Sequence, residues 1–385
     1  MRRISIFGAT GSVGRNGIDL IHAAGGADAY EVVALTGGRN ITLLAQQARA
    51  LRAGIAVTAH EDLLPDLRAA LAGSGVAAAA GAQALAEAAA RPADWVLSAI
   101  VGAAGLAPGL QALAQGATLA LANKESLVCA GRLLRAAGRA SGGMILPVDS
   151  EHSALFQALR GEDPATVRHV TITASGGAFR DWPLERLAAA TVAEASTHPN
   201  WAMGQRITID SASMFNKAME VIEAHVFFDL PADRIRVLVH PESIVHAMVS
   251  HVDGGSIAHL GAPDMRHAIG YALHWPDRAA LPVADLDLAA IGRLTFRAPD
   301  EGRWPALRLA REVMAAGGAA GAVFNAAKEQ ALDDFIAGRI GFADMAPRVE
   351  ATLQALSADS GFGHDPADLS SVLDWDARAR QKAAA

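Results

Sequence analysis

One cysteine, Cys129, stands in 385 residues. That excludes an intramolecular disulfide and makes a reducing compartment, the cytoplasm, the expected setting. A basic excess is also missing, since the formal net charge is −7. General nucleic-acid binding is thereby excluded, because neutralising phosphates takes a cationic face. No secretory leader is expected, because Met1-Arg-Arg-Ile-Ser-Ile-Phe-Gly8 passes straight into a strand-and-glycine pattern without an apolar region or cleavage site. Charge is absent from one long run, Trp95 to Asn123. Gly102, Gly105, Pro108, Gly109 and Gly116 break it, and Gln111 and Gln115 lie inside it. It is therefore expected as strand, helix, strand (95–100, 106–115, 118–122) buried in a parallel sheet, and no membrane partner is expected.

What is present suits a compact globular protein: 51% hydrophobic residues against 19% charged. Much of that apolar share is alanine, which favours helices and packs closely while burying little area. The length calls for two or three domains.

Residues 1–148 alternate short β-rich runs with helical ones, the pattern of a doubly wound, Rossmann-like α/β domain. Its strand candidates are Ile4–Phe7, Val32–Thr36, Ile55–Thr58, Trp95–Ile100, Thr118–Ala122 and Met144–Val148. Residues 149–275 change to an α+β mixture. Strands are expected at Arg168–Thr173, Arg236–Val239, Ile244–Ser250 and Ser256–Leu260, the last two joined by a hairpin at Asp253-Gly254-Gly255. One long helix is expected over Ser211–Phe228, with Ser211 as its N-cap. Residues 276–300, with Pro276, Pro282 and Pro299, read as a linker, and 301–385 as a small helical domain.

Gly8-Ala-Thr-Gly11-Ser-Val-Gly14 follows the first strand and opens a helix. Glycines there allow the tight turn and close backbone approach, while the helix N-terminus faces a pyrophosphate with free N–H groups. The end of the second strand selects the cofactor. It reads Leu35-Thr-Gly-Gly-Arg39-Asn40, with no acid for a ribose hydroxyl and an arginine placed for a 2′-phosphate. NADPH is favoured over NADH. The alternative is that Arg39 only begins a solvated helix.

A second constellation is acidic. Leu146-Pro-Val-Asp149-Ser150-Glu151-His152 lies at the carboxyl end of the last strand of the first domain, where open α/β sheets gather ligands. Asn216, Lys217 and Glu220 share one face of the long helix. Asp149, Glu151 and Glu220 are the candidate ligands of a metal, and carboxylates without a cysteine or histidine set point to Mg²⁺ or Mn²⁺. The competing reading makes Lys217–Glu220 a helix-surface ion pair and Asp149 a helix cap.

These blocks, with Ala99-Ile-Val-Gly-Ala-Ala-Gly-Leu106, Leu121-Ala-Asn-Lys-Glu-Ser-Leu127, His198-Pro-Asn-Trp-Ala-Met-Gly204, Ile209-Asp-Ser-Ala-Ser-Met-Phe-Asn-Lys217 and Gly261-Ala-Pro-Asp-Met-Arg266, closely resemble the 1-deoxy-D-xylulose 5-phosphate reductoisomerase family. The likeness runs in order over nearly the whole chain. It implies metal binding by Asp149, Glu151 and Glu220, with Lys217, Glu151 and Glu220 central to catalysis. It implies that Ser175, His198, Ser211, Asn216 and Lys217 receive a small phosphorylated, sugar-like substrate, with Lys124 and Ser150 nearby. Thr10, Gly11, Ser12, Val13, Gly38, Arg39, Asn40, Asn123, Glu125 and Gly204 would form the cofactor set. Family members are homodimers of the non-mevalonate isoprenoid pathway; they rearrange the substrate and reduce the resulting aldehyde to 2-C-methyl-D-erythritol 4-phosphate. Departures are a small insertion at 23–29, Arg39 where lysine is common, and Asn325-Ala-Ala-Lys328-Glu329 for the commoner Asn-Ala-Ala-Asn-Glu. The last is expected to affect local packing alone.

The polar stretch Ser196–Gln205, with Trp201, reads as a lid over the substrate, against the alternative of a plain surface loop. His240, His246, His251 and His259 fall on expected strands and are assigned structural roles. A semialdehyde-type dehydrogenase also opens on Gly-Ala-Thr-Gly, but its chemistry needs a thiolate. Cys129 sits in an apolar helix, where burial leaves a thiol inert. A non-catalytic NADPH-binding protein is the other alternative.

Overall fold

The computed structural model describes residues 1–201 and 203–385, so Ala202, in the expected lid, lies outside the described residues. The chain divides into two compact units. One comprises residues 1–126, 133–153 and 264–284; the other comprises 127–132, 154–263 and 285–385.

The first unit is built on seven strands: β1 (Arg2–Phe7), β2 (Tyr30–Gly37), β3 (Ile55–Thr58), β4 (Ala77–Ala80), β5 (Trp95–Ser98), β6 (Thr118–Leu121) and β7 (Met144–Pro147). All pair in parallel, in the order β4-β3-β2-β1-β5-β6-β7. The helices between them are α1 (Ser12–Ala23), α2 (Ile41–Ala50), α3 (Leu64–Leu71), α4 (Gly81–Ala89), α5 (Leu106–Ala114) and α6 (Lys124–Ser141), and α7 (Ser150–Ala158) follows β7. A parallel sheet covered on both faces needs apolar residues without alternation. Accordingly Ile4, Ile6, Trp95, Leu97, Leu119 and Ala120 are fully buried. The charge-free run becomes β5, α5 and β6, as expected.

The second unit carries a four-stranded sheet of β8 (Val167–Ala174), β9 (Ile235–Val239), β10 (Val245–His251) and β11 (Ser256–Leu260), ordered β11-β10-β8-β9. Only β8 and β9 run parallel. Between β8 and β9 come α8 (Val192–Ala195), α9 (Gln205–Ala212) and α10 (Phe215–Phe228). The single helix expected over 211–228 is therefore two. Met214, at φ 62°, breaks the chain between them, and Ser211 sits in the last turn of α9 instead of capping α10. A buried methionine in the left-handed region costs roughly 1–2 kcal/mol, which its packing with Ala174, Val239, Trp304 and Leu307 offsets.

After β11 the chain returns to the first unit as α11 (Arg266–His274), where Trp95 Nε1 donates to Ala272 O at 3.0 Å. Residues 276–300 contain only the short α12 (Leu288–Ile291) and an isolated bridge between Arg297 and Val239. The helical remainder comprises α13 (Ala306–Ala316), α14 (Ala320–Ile336), α15 (Met345–Ser357) and α16 (Leu369–Ala384). Alanine and glycine let α14 pack tightly: a Cβ at Gly321 would stand 2.1 Å from Val128 O. The architecture is thus mixed α/β with a seven-stranded parallel sheet and a helical C-terminal part. Among the described residues, no helix is long and apolar enough to cross a membrane.

Candidate active site

In the first unit the strand order reverses between β1 and β5, and ligands of such sheets bind beyond the carboxyl ends of the strands at that point. The glycine loop leaves β1 there. Gly8 has φ 89°, and a Cβ on it would lie 2.4 Å from Ala99 O; a Cβ on Gly14 would lie 2.2 Å from Gly8 O. The middle glycine, Gly11, caps α1 and has more room. Thr36 Oγ1 accepts from Gly8 N at 3.0 Å and so ties the loop to the end of β2. No acidic side chain occupies the first turn of α1, so its N–H groups and macrodipole face an anion without competition.

Beyond β2, Gly38 and Arg39 lead to Asn40, whose side chain caps α2 through Leu43 N at 3.1 Å. Arg39 is largely exposed, with Asp62 3.7 Å away. Beyond β5, Asn123 organises the loop 100–105. Its Nδ2 donates to Ile100 O at 2.6 Å, Gly102 O at 2.9 Å and Glu125 Oε2 at 3.0 Å, while its Oδ1 caps α6 through Ser126 N at 2.9 Å. The two amide protons are thus shared among three oxygens while the carbonyl oxygen caps the helix, so this buried amide holds the loop in place. The glycine cradle, which a Cβ would fill, and the exposed cation past β2 fit a 2′-phosphorylated dinucleotide.

The acidic motif also lies in this unit. Lys124 Nζ is 2.5 Å from Asp149 Oδ2, and both side chains are mostly buried. Asp149 Oδ1 accepts from Ser150 N at 2.9 Å, and Ser150 Oγ donates to Glu151 Oε2 at 2.5 Å. His152, fully buried, places Nδ1 3.8 Å from Asp149 Oδ2.

In the second unit Ser175 follows β8. Its Oγ lies 2.8 Å from His198 Nε2, and Gly177 N donates to the same oxygen at 3.1 Å. Nδ1 of His198 accepts from Asn200 N at 3.1 Å and Trp201 N at 2.9 Å. With Nδ1 as acceptor, the proton of the neutral ring sits on Nε2 and points at Ser175. Burial, helped by the nearby Arg180 guanidinium, lowers the pKa of His198 to about 4. Arg180 also donates to Ser175 O at 2.7 Å, a brace that no sequence motif signalled. Gly177, at φ 64°, lets this loop press on α9, since a Cβ there would stand 2.6 Å from Ser211 O. The loop bearing Ser175 is thus packed against the turn bearing Ser211.

On α10, Asn216 Nδ2 donates to Glu220 Oε1 at 2.5 Å, and Lys217 Nζ is bonded to Glu220 Oε2. Glu220 is 1% exposed and Lys217 3%. The alternative of a helix-surface ion pair is thereby corrected: the spacing is right, but the pair is inside. Gly204, placed by resemblance among the cofactor residues, caps α9 in this unit. His240, expected to be structural, is bonded within the second unit: Ile244 N and Val245 N both donate to its Nε2 at 3.1 Å.

Asp149, Glu151 and Glu220 offer oxygen ligands only, which suits a hard divalent cation. Two of them, Asp149 and Glu220, already hold an ammonium group within their own unit. Cys129, the single thiol, is buried.

Family models match most of the chain: 1-deoxy-D-xylulose 5-phosphate reductoisomerase over residues 4–131, its C-terminal domain over 145–228, and a DXP reductoisomerase C-terminal domain over 260–382. The chain is similar to proteins named 1-deoxy-D-xylulose 5-phosphate reductoisomerase from Paracoccus denitrificans (72% identity, covering 100% of this chain and 98% of the relative) and Ruegeria pomeroyi (69%, covering 99% and 96%). Among solved structures it resembles the Zymomonas mobilis reductoisomerase in complex with NADPH, at 46% identity and TM-score 0.92, over 100% of this chain and 98% of that one. A DOX-P reductoisomerase in complex with NADPH, fosmidomycin and magnesium is similar at 37% identity and TM-score 0.93, covering 100% and 97%.

Proposed function

The chain belongs to the 1-deoxy-D-xylulose 5-phosphate reductoisomerase family, and from that premise we propose which of its residues do the work. The enzyme rearranges and reduces 1-deoxy-D-xylulose 5-phosphate to 2-C-methyl-D-erythritol 4-phosphate, with NADPH and a divalent metal. Asp149, Glu151 and Glu220 hold the cation. Ser175, His198, Ser211, Asn216 and Lys217 receive the substrate, with Lys124 and Ser150 beside them. The loop Thr10–Val13, the segment Gly38–Asn40, and Asn123, Glu125 and Gly204 serve NADPH. The observation that carries the assignment is the cluster of half-buried Asn216 with buried Lys217 and Glu220, a carboxylate held out of water with an amide and an ammonium on it.

Held by Asp149, Glu151 and Glu220, a divalent cation would supply Lewis acidity toward the substrate, and NADPH in the glycine cradle would supply hydride. The chain contributes orientation and charge. Ser175 Oγ accepts from His198 and from Gly177 N, so its own proton is directed outward as a donor to a phosphate oxygen. Ser211 and Asn216 add donors to the same handle, and binding energy collected far from the reacting carbons is used to align them. Lys217 brings an ammonium whose protons face carboxylate and substrate oxygens alike, stabilising oxyanion character as the carbon skeleton rearranges. The segment 196–205 closes over the bound substrate and excludes water from a reactive aldehyde.

Residues 1–148 act as the NADPH-binding part, 149–275 as the catalytic part, 276–300 as a linker and 301–385 as a helical support. We place the enzyme in the cytoplasm as a homodimer, on the ground of its lone buried cysteine and its family. The residue assignment is tested by NADPH oxidation with 1-deoxy-D-xylulose 5-phosphate, with and without Mg²⁺ or Mn²⁺, in single variants of Glu151, Lys217 and Glu220. Metal-dependent turnover that survives all three would overturn it, and Cys129→Ala keeps full activity.

A further inference from the structure

Ser211, Asn216 and Lys217 lie on α9 and on the turn and helix that continue it, so their aim depends on what holds α9. Several contacts within the second unit do so. Trp304 Nε1 donates to Ala212 O at 3.2 Å. Arg206 is bonded to Asp333 of α14, with both side chains about half exposed. Between these, Asp210 Oδ2 accepts from Lys328 Nζ of α14 at 2.9 Å. Asp210 is 6% exposed and Lys328 4%, and among the described residues no donor reaches Asp210 Oδ1.

The three ties differ in kind. The Trp304 bond is neutral, and the Arg206 pair is screened by water. The Asp210–Lys328 pair sets two full charges opposite each other out of water, where a buried carboxylate has a large penalty for leaving its cation. Asp210 therefore stays where Lys328 is, and Ser211 is the next residue. We propose that Lys328 is a positioning residue for the substrate's phosphate: through Asp210 it fixes the rotation of α9, and with it Ser211 and the kink at Met214 that leads into Asn216 and Lys217. The lysine within Asn325-Ala-Ala-Lys328-Glu329 thus bears on the chemistry, beyond local packing. The proposal rests on the reading that Ser211 receives the substrate.

Steady-state kinetics on the full-length enzyme with 1-deoxy-D-xylulose 5-phosphate, NADPH and Mg²⁺ test it, with thermal melting alongside. Lys328→Met leaves the Asp210 charge buried without its cation; the substrate KM should rise about tenfold or more while the NADPH KM stays within about twofold. Asp210→Asn combined with Lys328→Met removes both charges and should bring the substrate KM back to within about threefold of the parent. Should Lys328→Met not fold, Lys328→Gln is read by the same split. A loss of melting temperature with both KM values unchanged, or with both raised alike, overturns the proposal and leaves Lys328 a support of the fold. Ser211→Ala separates the underlying reading: it should raise the substrate KM by itself, and if it does not, the substrate assignment fails and the proposal with it.

Discussion

Ser175 Oγ and His198 Nε2 lie 2.8 Å apart, while the other ring nitrogen of His198 is occupied by two backbone N–H groups. The ring is thus a neutral donor to the serine. Its pKa is lowered to about 4, first by burial and then by Arg180. The folded value lies below the unfolded value of about 6.5, so the unfolded chain binds the extra proton first as pH falls. The contribution of His198 to stability is fully present above about pH 6.5 and is lost progressively toward pH 4. Ring-proton NMR should show His198 titrating near 4, and the substrate KM should show no inflection near 6.5 that disappears in His198→Asn. A His198 midpoint at 6.5 would contradict the neutral donor.

Lys217 and Glu220 form a pair with almost no exposure, which lets stability and activity be separated. Glu220→Gln takes from the buried ammonium the carboxylate it is bonded to, a loss of roughly 3–5 kcal/mol in denaturant unfolding. Combining it with Lys217→Met should recover much of that stability, because an uncharged pair of similar volume suits a dry site. Activity should not follow. Both variants should lose about a hundredfold or more in kcat and bind Mg²⁺ more weakly by calorimetry. If the double variant regained turnover along with stability, Glu220 would be a structural residue.

The glycine loop gives a graded series. Gly8→Ala places a methyl group 2.4 Å from Ala99 O at a φ of 89°, and Gly14→Ala places one 2.2 Å from Gly8 O. Each should lower stability by about 1–3 kcal/mol and raise the NADPH KM. Gly11→Ala meets its nearest atom, Gly8 O, at 3.3 Å with an ordinary φ, a tight contact that a shift of a few tenths of an ångström relieves, so its melting temperature should fall less than at the other two positions. Equal losses at all three positions would show that the crowding does not control the loop.

Much of this was legible in the sequence, for physical reasons that also mark where it stopped. Every strand expected in the first unit formed, because runs such as Trp95-Val-Leu-Ser98 are apolar on both faces, as a covered parallel sheet requires. β4 was not expected, since Ala77–Ala80 favours a helix; pairing with β3 overrides that propensity at a sheet edge. The break at Met214 was hidden for a related reason. Ser211 through Phe228 contains neither glycine nor proline, and only tertiary packing holds a methionine at positive φ. The candidate carboxylates were legible from their chemistry, and the near-complete burial of Glu220 was not. Arg180 and the Asp210–Lys328 pair join residues remote in sequence, where spacing carries no signal.

Arg39 tests the cofactor choice without disturbing the fold. Its side chain is 69% exposed, and its contact with Asp62, at 3.7 Å and also largely in water, is worth about 0–1 kcal/mol. Arg39→Ala should therefore melt within a degree or two of the parent. A charge-assisted bond to a 2′-phosphate is worth roughly 1.5–3 kcal/mol, so the NADPH KM should rise about ten- to a hundredfold. NADH lacks that phosphate, and its KM should hardly move. The ratio of kcat/KM for the two cofactors should then fall by the same factor, read from parallel oxidation assays. Arg39→Lys keeps the charge and should retain most of the preference. If Arg39→Ala raised both KM values equally, the arginine would be shaping the loop before α2 instead of reading the phosphate, and the preference would have to arise from Gly38, Asn40 and the backbone around them.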